Sequence, residues 1–146
     1  MRFNLFFLVV YLIVSSSSIE NGVKLEVNVN GIMTKEGNVH VALFREQDSF
    51  PAHGNQFKGQ VISVKSTMIT APFVNLKPGI YAIAVFHDRN KNGKLDKNIF
   101  GAPTESYGFS NNARSTFSAP TFSAASFELK DSLKKQLKAA TEKVGH

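Results

Sequence analysis

Apolar and polar residues alternate with a period of two over much of this chain. Lys24 to Asn30 is the cleanest case, with Leu25, Val27 and Val29 on one face and Lys24, Glu26, Asn28 and Asn30 on the other. Successive side chains of an extended strand point to opposite faces, so the pattern predicts a half-buried strand. Gly31 and the run Lys35-Glu36-Gly37-Asn38 supply turn signals. Asn38 to Phe44 then resumes the alternation, with Val39, Val41 and Leu43 opposite His40, Ala42 and Phe44. The two segments are expected to pair as a hairpin-like opening, with His40 as a surface or rim residue.

Arg45 to Gly59 is irregular, and Phe44, Phe50 and Phe57 are its expected anchors. A loop of this length is functional or is held down by its own aromatics. Gln60 to Lys65 and Ser66 to Leu76 supply two further strand candidates, with Pro72 marking an edge or a bulge. After the turn Lys77-Pro78-Gly79, Ile80 to Phe86 is apolar on both faces, which predicts a central strand covered on both sides. Asn98 to Pro120 is a second long irregular segment, and Thr121 to Leu129 returns to alternation. No helical period interrupts these segments. The expected fold is all-β, an antiparallel β-sandwich of six to seven strands over residues 20–130, immunoglobulin-like or prealbumin-like.

Both ends have a different texture. Met1 to Ser18 places Arg2 before an apolar run from Leu5 to Val14 and then four serines. This is the pattern of a secretory signal peptide, and the run is shorter than the roughly 20 residues a bilayer span needs. The mature domain is then expected to be periplasmic or secreted, without stable membrane insertion. Residues 131–146 read as a short, basic C-terminal helix or tail. Leu133, Leu137, Ala140 and Val144 share one face, and Lys134, Lys135, Lys138 and Lys143 the other.

Composition narrows the chemistry. With no Cys there is neither a disulfide framework nor a thiol nucleophile. The formal net charge of +6 permits binding to an anionic surface. The basic residues are scattered, however, and the aromatics follow core-like patterns, so nucleic acid is not an expected partner.

The candidate ion site is Asp88-Arg-Asn90-Lys-Asn92-Gly93-Lys94-Leu-Asp96. It matches the first nine positions of an EF-hand calcium loop, with oxygen side chains at 1, 3, 5 and 9, a turn glycine at 6 and the Lys94 carbonyl at 7. The bidentate Glu expected at position 12 is replaced by Ile99. Glu105, or the amide oxygen of Asn98, is the candidate replacement. Few carboxylates amid Arg89, Lys91, Lys94 and Lys97 predict weak, structural calcium binding, on the order of 10⁻⁴–10⁻³ M. Without metal, the same residues would hydrogen-bond their own backbone as Asx-turns.

The stretch KPGIYAIAVFHDRNKNGKLDKNIFGAPTESYGFSNNA, Lys77 to Ala113, resembles the signature of a bacterial exported family catalogued as domain of unknown function 2141. The resemblance implies a small signal-bearing protein with a β-sandwich and transfers no activity. The loop is also loosely similar to the calcium-stapled B-type repeats of surface adhesins.

No catalytic residues are assigned. His87 and Asp88 are strand neighbours and point apart, and Ser110 in GFSNN lacks the Gly-x-Ser-x-Gly elbow. A binding or structural module is therefore expected, with Tyr107, Phe109, Asn111 and Asn112 as candidate contacts to a glycan or peptide. A hydrolase of an envelope or extracellular substrate is the alternative. Buried Tyr107 and Phe109 would indicate scaffolding, and a pocket joining His87 to Glu105 would indicate an enzyme.

Overall fold

The computed structural model describes residues 22–130 and, for its backbone, the strand Gln136–Ala140. Two sheets form. The smaller has the order β4 (Met68–Leu76), β1 (Val23–Asn30), β8 (Gln136–Ala140), with β4 antiparallel and β8 parallel to β1. The larger runs β3 (Lys58–Ser63), β2 (Asn38–Arg45), β5 (Gly79–Asp88), β6 (Tyr107–Phe109), all antiparallel, and β7 (Phe127–Leu129) also pairs with β5. A single helical turn, α1 (Phe122–Ala125), precedes β7 and is capped by the Thr121 hydroxyl, which accepts from the Ala124 N–H.

The alternating apolar faces meet between the sheets. Leu25, Val27 and Val29 of β1 and Ala71, Phe73 and Leu76 of β4 share one core with Val39, Val41 and Leu43 of β2 and Ile83 and Val85 of β5. This is the antiparallel β-sandwich that the alternation requires.

Two expectations are corrected. β1 and β2 do not pair as a hairpin; they lie in different sheets. Their valines face each other across the core rather than side by side, and the connection between them buries Ile32. Gly37, at φ +75°, allows that connection to lie against the end of β5, because a Cβ there would stand 2.2 Å from the Asp88 carbonyl oxygen. The second correction concerns the C-terminal helix. Residues 136–140 extend beside β1, and the short helix of the fold is α1. An open edge on β1 offers hydrogen bonds that a thin helical stripe does not. The remainder of the 131–146 segment and the expected signal peptide of residues 1–18 lie outside the described residues.

β5 is the central strand expected from its two apolar faces. β2 occupies one edge, and the other is divided between β7 at Gly79–Tyr81 and β6 at Ala84–Phe86. Ser110 fills the gap between them. Its buried hydroxyl accepts from the Ile83 N–H at 2.9 Å and donates to the Ala125 carbonyl. A side chain thus completes a backbone ladder, which answers the cost of burying an unpaired N–H. On this outer side a second cluster of Ala82, Phe109 and Ala125, with Phe50 and Phe122 against it, covers one end of the sheet.

β4 is an edge strand, as Pro72 predicts. Two side chains of β3 reach it from the other sheet. Lys58 Nζ donates to the Val74 carbonyl at 2.8 Å, and Gln60 Nε2 donates to the Pro72 carbonyl.

Candidate functional site

The strand registers set out a relief map on the outer face of the larger sheet. Val61, His40, Phe86 and Tyr107 stand in one row across β3, β2, β5 and β6. In the next row Gly59, Ala42 and Ala84 are neighbours, and only Phe109 at the end is large. Directly opposed residues on one face lie about 5 Å apart, so three small residues side by side leave a trough. Walls raise it into an open cleft of about 1490 Å³. One wall is Ser49 to His53, and the other is built from Gly93 to Lys97, Phe100 to Pro103 and Ser115 to Ala119. Phe100 is 86% exposed and Phe117 98% exposed on that second wall.

His40 lies on the floor of this cleft. Its ring stacks on Phe86, with centroids 4.4 Å apart and planes inclined by 11°. His53 approaches both from the wall, edge-on, at 6.1 Å from His40 and 5.7 Å from Phe86. His40 Nε2 is 3.2 Å from Asp88 Oδ2. Burial pushes the Asp88 carboxyl up. The N–H groups of Gly93 and Asn92 and the His40 ring together outweigh that and hold it below the ordinary carboxylate value. An ionised carboxylate only accepts, so His40 presents an N–H to it at Nε2.

The Asp/Asn loop is part of the second wall, and Asp88 is its anchor. The side chain is 1% exposed; Oδ1 accepts from Asn92 N–H at 3.0 Å and Oδ2 from Gly93 N–H at 2.8 Å. Gly93 takes φ +78°, as the turn position demands. Asn90 Nδ2 and Asn92 Nδ2 both donate to the Asp96 carboxylate, at 2.7 and 2.8 Å, while their Oδ1 atoms accept from Asn92 N–H and Lys94 N–H. Glu105 is brought to the loop and is buried there. Its two oxygens accept from Arg89 N–H at 2.9 Å and Asp96 N–H at 3.1 Å, clasping the loop at both ends. Asn98 does not join; its Oδ1 accepts from Phe100 N–H and Ala102 N–H in the next turn. The six candidate positions Asp88, Asn90, Asn92, Lys94, Asp96 and Glu105 therefore surround one loop, which closes on its own backbone through Asx-type bonds.

The other candidate residues separate. Phe109 is buried against Phe50 and Tyr107, at centroid distances of 5.8 Å in both contacts, so these rings pin their segment to the sheet. Tyr107, half-buried, also reaches the cleft. Asn111 Nδ2 donates to the Ser126 carbonyl, and Asn112 is exposed. His87 points to the opposite side of β5 from Asp88; its ring is buried and donates to the Glu36 carbonyl at 2.6 Å. Neither His87 nor Glu105 lines the cleft.

The alternation in β2 marks His40 as a surface or rim residue, and His53 stands in the irregular segment after it. Nothing local in the sequence joins either of them to Asp88. His40 and Asp88 share a parity in their strands, but only the β2–β5 register makes them diagonal neighbours, and register is not written in either strand.

A family model described as "Uncharacterized protein conserved in bacteria (DUF2141)" matches residues 27–136, most of the chain. No curated protein and no solved structure matches it.

Proposed function

The chain belongs to this bacterial family, and we propose that it is an exported, non-catalytic binding module whose cleft takes an extended peptide with apolar side chains. Export is supported by the leader pattern of Met1 to Ser18. The observation that carries the binding reading is the trough over Gly59, Ala42 and Ala84, overhung by the exposed Phe100 and Phe117. Solvent-facing aromatics beside a concave apolar floor favour a ligand that removes them from water. Lys94 and Lys97 on the same wall favour an acidic residue in that peptide. A glycan would need flat, coplanar stacking surfaces, and Phe109 is committed to packing.

The test is a selection from a random peptide library run beside a glycan array. Peptides with apolar side chains should be enriched, and binding should fail in Ala84→Leu, where the trough is filled. Enrichment on the glycan array instead, or binding unchanged in the filled variant, would overturn the reading.

Weak calcium binding at the Asp/Asn loop is a second part of this proposal. It is supported by the spacing of the oxygen side chains and by their arrangement around Asp96. Each Asp96 oxygen has one amide partner there and so keeps capacity to accept a second. An ion would act as a staple on a cleft wall. A hydrolase is the second reading, favoured by the His40–Asp88 pair. Among the described residues no hydroxyl hydrogen-bonds His40, so the pair has no side-chain nucleophile beside it.

A further inference from the structure

We infer that His40 and His53 form a site for a late first-row divalent metal ion, such as Zn²⁺ or Cu²⁺, on the floor of the cleft, with Asp88 orienting His40 from behind. The inference does not depend on the peptide-binding reading.

Three features support it. First, metal-bound histidines characteristically donate their other ring N–H to a carboxylate, which fixes the tautomer and raises ligand basicity. His40 has this arrangement: Nε2 stands 3.2 Å from Asp88 Oδ2, and among the described residues no hydrogen bond engages Nδ1. The stack on Phe86 at 4.4 Å holds the ring plane. Second, the ring separation admits a shared ion. With Zn–N bonds of about 2.0–2.1 Å an ion sits roughly 3.2 Å from each ring centroid, so two ligating rings lie up to about 6.4 Å apart. The observed 6.1 Å falls inside that limit, and a small rotation of the exposed His53 brings it towards the roughly 5.2 Å of a tetrahedral pair. Third, among the described residues no hydrogen bond engages the exposed His53 ring, so its nitrogens are available to an ion.

Among the described residues no third His, Cys, Asp or Glu completes the shell. The remaining positions therefore face the cleft, where water or an anionic group of a bound ligand can take them. Imidazole donors suit zinc, copper and nickel over magnesium and calcium, so this ion differs in kind from the one considered for the Asp/Asn loop.

The experiment titrates the full-length exported protein with Zn²⁺ and with Cu²⁺ by calorimetry, and records the copper electron paramagnetic resonance spectrum. One saturable equivalent is expected, with nitrogen hyperfine structure from two imidazoles. His53→Ala, an exposed loop change that should leave the fold intact, should weaken binding at least 10-fold. Asp88→Asn should weaken it by 10- to 100-fold, the usual effect of removing such a supporting carboxylate. If Asp88→Asn does not fold, His53→Ala and His40→Gln decide the matter. Binding unchanged in His53→Ala, no saturable binding at all, or a loss confined to a His146→Ala control would overturn the inference.

Discussion

His40 and Asp88 stand diagonally across β2 and β5 with 3.2 Å between Nε2 and Oδ2. The same carboxylate accepts from the backbone of Asn92 and Gly93, so one buried side chain fastens a loop to the floor of a cleft. Loss of this side chain should therefore be felt in two places. Asp88→Ala is expected to lower unfolding stability by about 1–3 kcal/mol, since it removes the acceptor of the Gly93 N–H and of the His40 ring and one of the two acceptors of the Asn92 N–H. Urea unfolding measures the loss, and the His40 ring proton resonances should shift in the same variant. An effect below about 0.5 kcal/mol would mean that water replaces the carboxylate.

Acid should destabilise the protein in a defined direction. Asp88 is held below its ordinary value by the causes given above, and Asp48 is lowered chiefly by its hydrogen bond from Arg45. A depressed folded pKa contributes stability that is complete above the unfolded value, near 3.9, and is lost as pH falls through the lower folded value. Stability should be nearly flat above about pH 5 as far as these two groups are concerned, and fall steeply below about pH 4. A melt series in Asp88→Asn should show a shallower acid limb.

Ser110→Ala should cost about 1–3 kcal/mol, because the Ile83 N–H is left unpaired between β6 and β7. Amide exchange at Ile83 should accelerate in step with the melting temperature. Were Ser110 a nucleophile, a serine-directed phosphonate would label it; its complete burial predicts no labelling.

Calcium should raise the melting temperature modestly. A site with a dissociation constant of about 1 mM adds roughly 1.4 kcal/mol at 10 mM ion. Asp96→Asn should abolish the shift, because Asp96 is the carboxylate on which both asparagine amides converge. Absence of any calcium-dependent shift at 10 mM, measured against chelator, would remove the staple from the proposed function.

Much of the fold is legible in the chain because its signal is local. Leu25, Val27 and Val29 alternate, Ile80 to Phe86 is apolar throughout, and Pro72 declares an edge. Each statement needs only one strand. The pairing of strands is a different kind of fact. β1 and β2 carry the same alternation whether they lie side by side or face to face, so the expected hairpin and the observed crossing of the core are indistinguishable from pattern alone. The cleft is hidden for the same reason, since Gly59, Ala42 and Ala84 are unremarkable until the register sets them in one row. The Asp/Asn loop is the reverse case. Its spacing of oxygens is conspicuous, yet those oxygens bond the loop's own backbone, which a one-dimensional motif does not reveal.

The reach of Lys58 and Gln60 across to the carbonyls of Val74 and Pro72 bears on how copies of this protein meet one another. An edge strand with unsatisfied carbonyls invites a second molecule to extend the sheet, and repeated addition of that kind builds fibres. Here the carbonyls of Pro72 and Val74 are already engaged, and the side chain on Val74 carries a positive charge. A neighbouring strand would have to displace both donors and accept that charge at the seam. Extension of the sheet by a second copy along β4 therefore carries a cost at these two carbonyls.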